Sequence, residues 1–186
     1  GCHVLIEKPF APSVAEGAPG FRNAADTDPA VAEHRAWAAD LVAQDVEPPA
    51  GAVEVSTVQE VDAVVARAVA AAPAWSARTP AERAAVLRRA ADALEDARGD
   101  LVATMVHEGG KTVAEADPEV SEAVDFARYY ADRAEDLADG RVPGARFTPH
   151  GVTVVTPPWN FPVAIPVGST LAALAAGSPV LVKPAP

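Results

Sequence analysis

Residues 151–186 read G-V-T-V-V-T-P-P-W-N-F-P-V-A-I-P-V-G-S-T-L-A-A-L-A-A-G-S-P-V-L-V-K-P-A-P. The β-branched run at 151–156 predicts a short strand, the small-residue run at 161–176 a helix, and P-V-L-V-K at 179–183 a second apolar strand. Strand, helix, strand in so short a span is one βαβ crossover, which makes the strands parallel and the connection right-handed. Parallel strands need both faces covered. Two strands and one helix do not supply that cover, so the sheet is expected to be incomplete within this chain, whose fold class is α/β.

Upstream of this unit the chain reads as helices with clear punctuation. Residues 1–20, broken by Pro9, Pro12 and Pro19, read as linker or an unrelated segment. Residues 21–56 form a lead-in, with a short packed helix that places Trp37 and Leu41 on one face, then Pro48, Pro49 and Gly51, then a short strand at 52–55. From 57 to 150 the chain is helical. Thr57 with Glu60 makes a capping box ahead of a stripe of Val58, Val61, Val64, Val65, Ala68 and Val69, and this helix is expected to end near Pro73. Thr79, Pro80 and Glu82 supply N-cap, N1 and N3 of a second helix with Val86, Leu87, Ala90, Ala91 and Leu94 buried. A third is expected at 101–107, ending at Gly109 and Gly110. A longer fourth runs over 113–137, with Val120, Val124, Ala127, Tyr130 and Ala131 on one face and Pro118 expected to kink or restart it.

Composition excludes several function classes. A net charge of −11 without a Lys/Arg cluster repels phosphate backbones and anionic lipid surfaces, so nucleic acid is not expected as a partner. One cysteine, Cys2, forms no internal disulfide and fits a reducing cytoplasm. His3, His34, His107 and His150 are scattered without a carboxylate cluster, so no metal site is expected. The uncharged stretch 161–182 approaches the length of a membrane span, but Pro162, Pro166, Pro179, Gly168 and Gly177 break it, and a buried helix followed by a strand explains it better.

An open α/β sheet places its ligand at the carboxyl ends of its strands. Thr156, Pro157, Pro158, Trp159 and Asn160 lie there after the first strand, and Lys183 ends the second. Asn160 precedes a helix, so it reads either as an N-cap or as a side-chain amide available for chemistry. Trp159 reads as a core or interface aromatic or as a ligand contact, and Lys183 as a solvated charge or a ligand contact. No G-x-G-x-x-G follows the strand, so the common dinucleotide fingerprint is absent.

Taken together, P-W-N-F-P at 158–162 and L-A-A-G-x-x-V-L-V-K-P-A at 174–185 closely resemble the aldehyde dehydrogenase superfamily, whose nucleotide domain departs from the glycine fingerprint. The resemblance implies an N-terminal helical portion followed by the first βαβ, residues 151–186, of a truncated Rossmann-like NAD-binding domain. It implies that Asn160 donates its amide to the oxyanion formed when a cysteine thiolate attacks the aldehyde. Thr156, Pro157 and Trp159 would line the path of the cofactor's ribose and nicotinamide, and Lys183 would hydrogen-bond the adenosine ribose. Many relatives read K-P-A-E where this chain has Pro186, which leaves NAD against NADP open.

The run V-H-E-G-G-K-T-V-A-E-A-D-P-E-V-S-E-A-V-D-F-A-R-Y-Y-A at 106–131 resembles 1-pyrroline-5-carboxylate (L-glutamate γ-semialdehyde) dehydrogenases, especially the dehydrogenase module of bifunctional proline utilization A enzymes. By that resemblance Glu122 lies near the substrate's charged amino-acid end and Phe161 packs on its aliphatic carbons, although Glu122 also reads as an exposed helix carboxylate. Glu108 and Lys111 match a turn that is structural in the family. The implied reaction is thiohemiacetal formation, hydride transfer and thioester hydrolysis on a small-molecule aldehyde, in a cytoplasmic homo-oligomer. The cysteine nucleophile and glutamate base are expected downstream of Pro186, leaving the oxyanion donor and part of a cofactor cradle here. H-V-L-I-E-K-P-F-A-P at 3–12 resembles the E-K-P loop of the glucose-fructose oxidoreductase and inositol dehydrogenase family; lacking that family's preceding domain, Lys8 reads as linker charge. A non-catalytic assembly protein using its acidic helices as a partner surface is the other alternative.

Overall fold

The computed structural model describes residues 20–46, 53–138 and 143–185. Cys2, His3 and Lys8 lie outside the described residues. The described elements are α1 (Ala32–Ala43), α2 (Val58–Ser76), α3 (Pro80–Asp96), α4 (Arg98–His107), α5 (Val113–Asp136), β1 (Thr153–Val155), α6 (Ala164–Ala175) and β2 (Val180–Val182). β1 and β2 form a two-stranded parallel sheet in the register Thr153 to Val180, Val154 to Leu181 and Val155 to Val182. The βαβ order is therefore as expected. Two more backbone bonds, Thr153 N–H to Pro179 O and Lys183 N–H to Val155 O, both 2.9 Å, extend the ladder at each end.

Helix starts follow the capping chemistry. Glu60 N–H donates to Thr57 Oγ1 at 3.2 Å while Thr57 N–H donates to the Glu60 carboxylate at 2.9 Å, and Thr79 with Glu82 repeats the arrangement at 3.2 and 2.7 Å. Pro80 occupies N1 of α3, where a missing N–H costs nothing. Two prolines and one start were less legible, while α4 ends at His107 as expected and α5 at Asp136, one residue from its expected end. α2 runs through Pro73 to Ser76, three residues past the proline near which it was expected to end. Pro118 likewise lies within a continuous α5. α4 starts at Arg98, three residues before the expected start, because Ala97 serves α3 and α4 in turn as cap. The strand expected at 52–55 does not form in its described part, since residues 53–56 have no regular structure.

The core is helical. Ala84, Leu87 and Ala91 of α3, Val124, Ala127, Ala131 and Ala134 of α5, and Leu171 and Ala175 of α6 form one buried cluster. Leu41, Val102, Ala103, Met105, Ala116 and Val120 form a second, joining α1, α4 and the start of α5. α5 belongs to both, so it is the element against which the others are placed. α2 contributes little: of its valine stripe Val58, Val61, Val65 and Val69 are exposed, and Ala68 is its buried residue.

Carboxylates on α5 also fix the lead-in. Asp117, fully buried, accepts from Thr27 N–H at 2.6 Å and Thr27 Oγ1 at 2.9 Å, and pairs with Arg98 at 2.6 Å. Asp125 accepts from Asn23 Nδ2 at 2.5 Å and Ala24 N–H at 2.7 Å. Buried Asp117 is thus satisfied, as burial requires.

Candidate active site

The loop 156–163 leaves the carboxyl end of β1 and enters α6, while Lys183 follows the carboxyl end of β2. Because the strands are parallel, Thr156, Pro157, Trp159, Asn160 and Lys183 share one edge of the sheet. Thr156, Asn160 and Lys183 are exposed, Trp159 is 74% exposed, and Pro157 is half-buried. Three prolines, Pro157, Pro158 and Pro162, remove backbone donors from this loop and restrict its φ angles. The result is a stiff loop that presents an amide and an indole to solvent.

Asn160 is not the N-cap of α6, so that reading falls. The cap is Val163, whose side chain accepts nothing. A helix start leaves four backbone donors without intrahelical partners. Here two of them, Val163 N–H at 2.7 Å and Ala164 N–H at 3.1 Å, donate to Glu119 Oε1 of α5, and Pro166 has none to offer. Glu119 is 2% exposed. Its other oxygen pairs with Lys111 Nζ, and that ammonium also sits 4.6 Å from the centroid of the Phe161 ring. A phosphate at a helix N-terminus needs free amides and a positive dipole end. At α6 the Glu119 carboxylate already takes two of those amides and sits at that dipole end.

Glu122 lies one turn beyond Glu119 on α5 and is half-buried, so it is not the exposed helix carboxylate that one reading gave. Phe161, 41% exposed, is brought to α5 through Lys111 and Glu119. The aromatic part of the E-A-V-D-F-A-R-Y-Y-A run packs inward: Phe126 stacks on Tyr130 with centroids 5.9 Å apart, and burial raises the Tyr130 hydroxyl above its ordinary pKa, with Tyr129 adding to the shift. Sequence reasoning missed Glu119. The signal was present, since Glu119 falls at helical spacing between Ala116 and Ala123 on the buried face of α5, where a carboxylate needs partners.

The other end of α6 is closed as well. Ser178 N–H donates to Ala173 O at 2.9 Å and Gly177 N–H to Leu174 O at 3.0 Å, a Schellman ending that needs the φ of +87° at Gly177. Buried Arg83 of α3 adds an Nε bond to Ala175 O at 2.9 Å. No group of three or more His, Cys, Asp or Glu side chains suited to a metal occurs among the described residues. Nor is any helix there long and apolar enough to cross a membrane.

Comparison with known proteins agrees with this arrangement. The aldehyde dehydrogenase family pattern matches residues 39–186. The chain is 47% identical over 130 residues to the bifunctional protein PutA of Salmonella typhimurium, covering 70% of this chain and 10% of that protein. The structure of proline utilization A from Corynebacterium freiburgense superposes with a TM-score of 0.74 at 49% identity, covering 88% of this chain and 16% of that one. 1-Pyrroline-5-carboxylate dehydrogenase from Thermus, solved with bound NAD, superposes with a TM-score of 0.77 at 26% identity, covering 91% of this chain and 40% of that one. The chain therefore spans less than half the length of each of these relatives. With the loop, the parallel pair and the match over residues 39–186 in agreement, the chain belongs to the aldehyde dehydrogenase family.

Proposed function

We propose that the chain supplies the N-terminal part of an NAD-dependent enzyme that oxidises L-glutamate γ-semialdehyde to L-glutamate in proline catabolism. Residues 57–150 would be the helical part of its Rossmann-like cofactor domain and 151–186 the first βαβ. The observation that carries this reading is the exposed Asn160 amide in the proline-stiffened loop at the carboxyl edge of the parallel pair. The PutA and 1-pyrroline-5-carboxylate dehydrogenase relatives support the substrate, and the NAD-bound Thermus structure supports the cofactor.

The residues present suit a dinucleotide's sugars and ring better than its phosphates. Trp159 offers an apolar plane and Thr156 and Lys183 offer donors at one edge, while the amides of α6 are already engaged by Glu119. When bound, NAD supplies a hydride acceptor. Asn160 would hold the aldehyde oxygen as negative charge develops on it, Phe161 would pack on the substrate's aliphatic carbons, and Glu122 would lie toward its charged amino-acid end. The enzyme would act in the cytoplasm as a homo-oligomer.

The test is oxidation of the semialdehyde with NAD by the protein expressed from its own gene. Asn160→Ala should lower kcat on the order of 10²- to 10³-fold, the cost of removing one donor aimed at a developing oxyanion. Retention of kcat within about threefold would remove Asn160 from that role.

A further inference from the structure

Glu119 carries a chemistry that the proposed reaction does not use directly. Its side chain is 1% exposed and that of Lys111 15% exposed, on a face of α5 whose neighbours Ala116, Val120 and Ala123 are fully buried. Taking a carboxylate and an ammonium out of water costs several kcal/mol per ion, and the pair seldom repays more than that cost. Replacing both members of a buried pair by apolar side chains of similar volume is often neutral or stabilising. Net stability is therefore a poor account of the pair. What an apolar residue would not supply is an acceptor at the start of α6.

Both contacts made by the pair lie just after Asn160 in the chain. Lys111 faces the ring of Phe161, the next residue, and Glu119 accepts from the backbone of Val163, three residues on, and of Ala164. We propose that Glu119, with Lys111 as its counter-charge, is a positioning residue that sets the exit of loop 156–163 and so aims Asn160. The proposal rests on the reading of Asn160 as an oxyanion donor. An oxyanion donor contributes only when aimed at the atom that becomes charged, and a misplacement of about 1 Å can cost on the order of 10²-fold in rate. A carboxylate locked at two backbone amides and one ammonium gives that aim from a rigid helix.

The experiment uses the protein expressed from its own gene, carrying E119L, the paired neutral substitution K111M/E119Q, and T79A as a cap-removing control on α3. E119L removes the acceptor, whereas K111M/E119Q keeps an oxygen for the two amides without leaving a charge unpaired. The expected result is a fall in kcat of about tenfold or more for E119L with the aldehyde KM within about threefold, and recovery to within about threefold of the unsubstituted kcat in K111M/E119Q. T79A should lower the melting temperature and leave kcat unchanged. Amide hydrogen exchange at Val163 and Ala164 should quicken in E119L and slow again in the pair.

Three results overturn the proposal: kcat of E119L within about twofold of the unsubstituted protein, a fall in kcat for T79A that matches its loss of melting temperature, or unchanged exchange at Val163 and Ala164. If E119L does not fold, K111M/E119M serves, because it removes the acceptor without leaving a charge unpaired; kcat within about twofold of the unsubstituted protein there, with unchanged exchange at Val163 and Ala164, overturns the proposal. If the unsubstituted protein does not oxidise the semialdehyde, the functional reading fails, and exchange alone then decides whether Glu119 sets the loop.

Discussion

Gly168 sits in the middle of α6, where an alanine would ordinarily stabilise a helix by about 0.5–1 kcal/mol. Here a Cβ would lie 2.7 Å from Phe126 Cδ2 and 3.0 Å from Cε2. Phe126 is stacked nearly parallel on Tyr130, 10° between planes, so its ring has little room to retreat. Overpacking costs about 1–3 kcal/mol and outweighs the propensity gain. Gly168→Ala should therefore lower the melting temperature, and adding Phe126→Leu should recover part of the loss; a raised melting temperature for Gly168→Ala alone would contradict the packing. At this scale the placement of Asn160, Trp159 and Lys183 at the carboxyl end of the sheet was readable in the sequence. The sequence did not show that Gly168 meets Phe126 or that Glu119 reaches Val163, because those distances arise from how α5 and α6 lie together.

Three helices begin with the same device, and it makes the fold acid-sensitive. Glu60 is held below its ordinary pKa of 4.5, first by the Ser56 amide and then by the Thr57 hydroxyl. Glu82 and Glu115 are lowered by the amides of Thr79 and Thr112 first and by their hydroxyls second. Groups whose pKa is depressed on folding contribute stability that is present above the unfolded value and is lost as pH falls through the folded one. The melting temperature should thus be insensitive to these groups at neutral pH and decline below 4.5. The variant E60Q/E82Q/E115Q should melt lower at neutral pH and show a shallower acid decline, which calorimetry across pH would read. The starts of α2 and α3 were legible because a cap is a local pattern of four residues. The end of α2 was less so, since how far it runs past Pro73 depends on what the next turn packs against.

The described residues form a helical body carrying a small sheet whose outer edges no other described strand covers. β1 and β2 each pair on one side, and Val154 and Val182 are 61% and 48% exposed. The valine stripe of α2 adds a second apolar face. Unpaired strand edges and apolar patches favour association. The 186-residue chain expressed alone should elute from size-exclusion columns as concentration-dependent oligomers or aggregates, and one sharp monomer peak across concentrations would refute this. The parallel pair and its crossover were readable from 151–186, because strand, helix and strand fall in consecutive residues. The exposure of the α2 stripe was not readable, since a helical period shows that one face is apolar and not what covers it.

The closure of α6 from outside has a consequence for what its entry loop can encode. Helix starts ordinarily reserve a Ser, Thr, Asp or Asn for the backbone, and a residue so committed has its side chain spoken for. Because a carboxylate on α5 meets the backbone of Val163 and Ala164 instead, residues 159–162 carry no structural obligation to their own helix. The vocabulary at those positions is released, and an asparagine that local rules would conscript as a cap is left facing outward with its amide unspent.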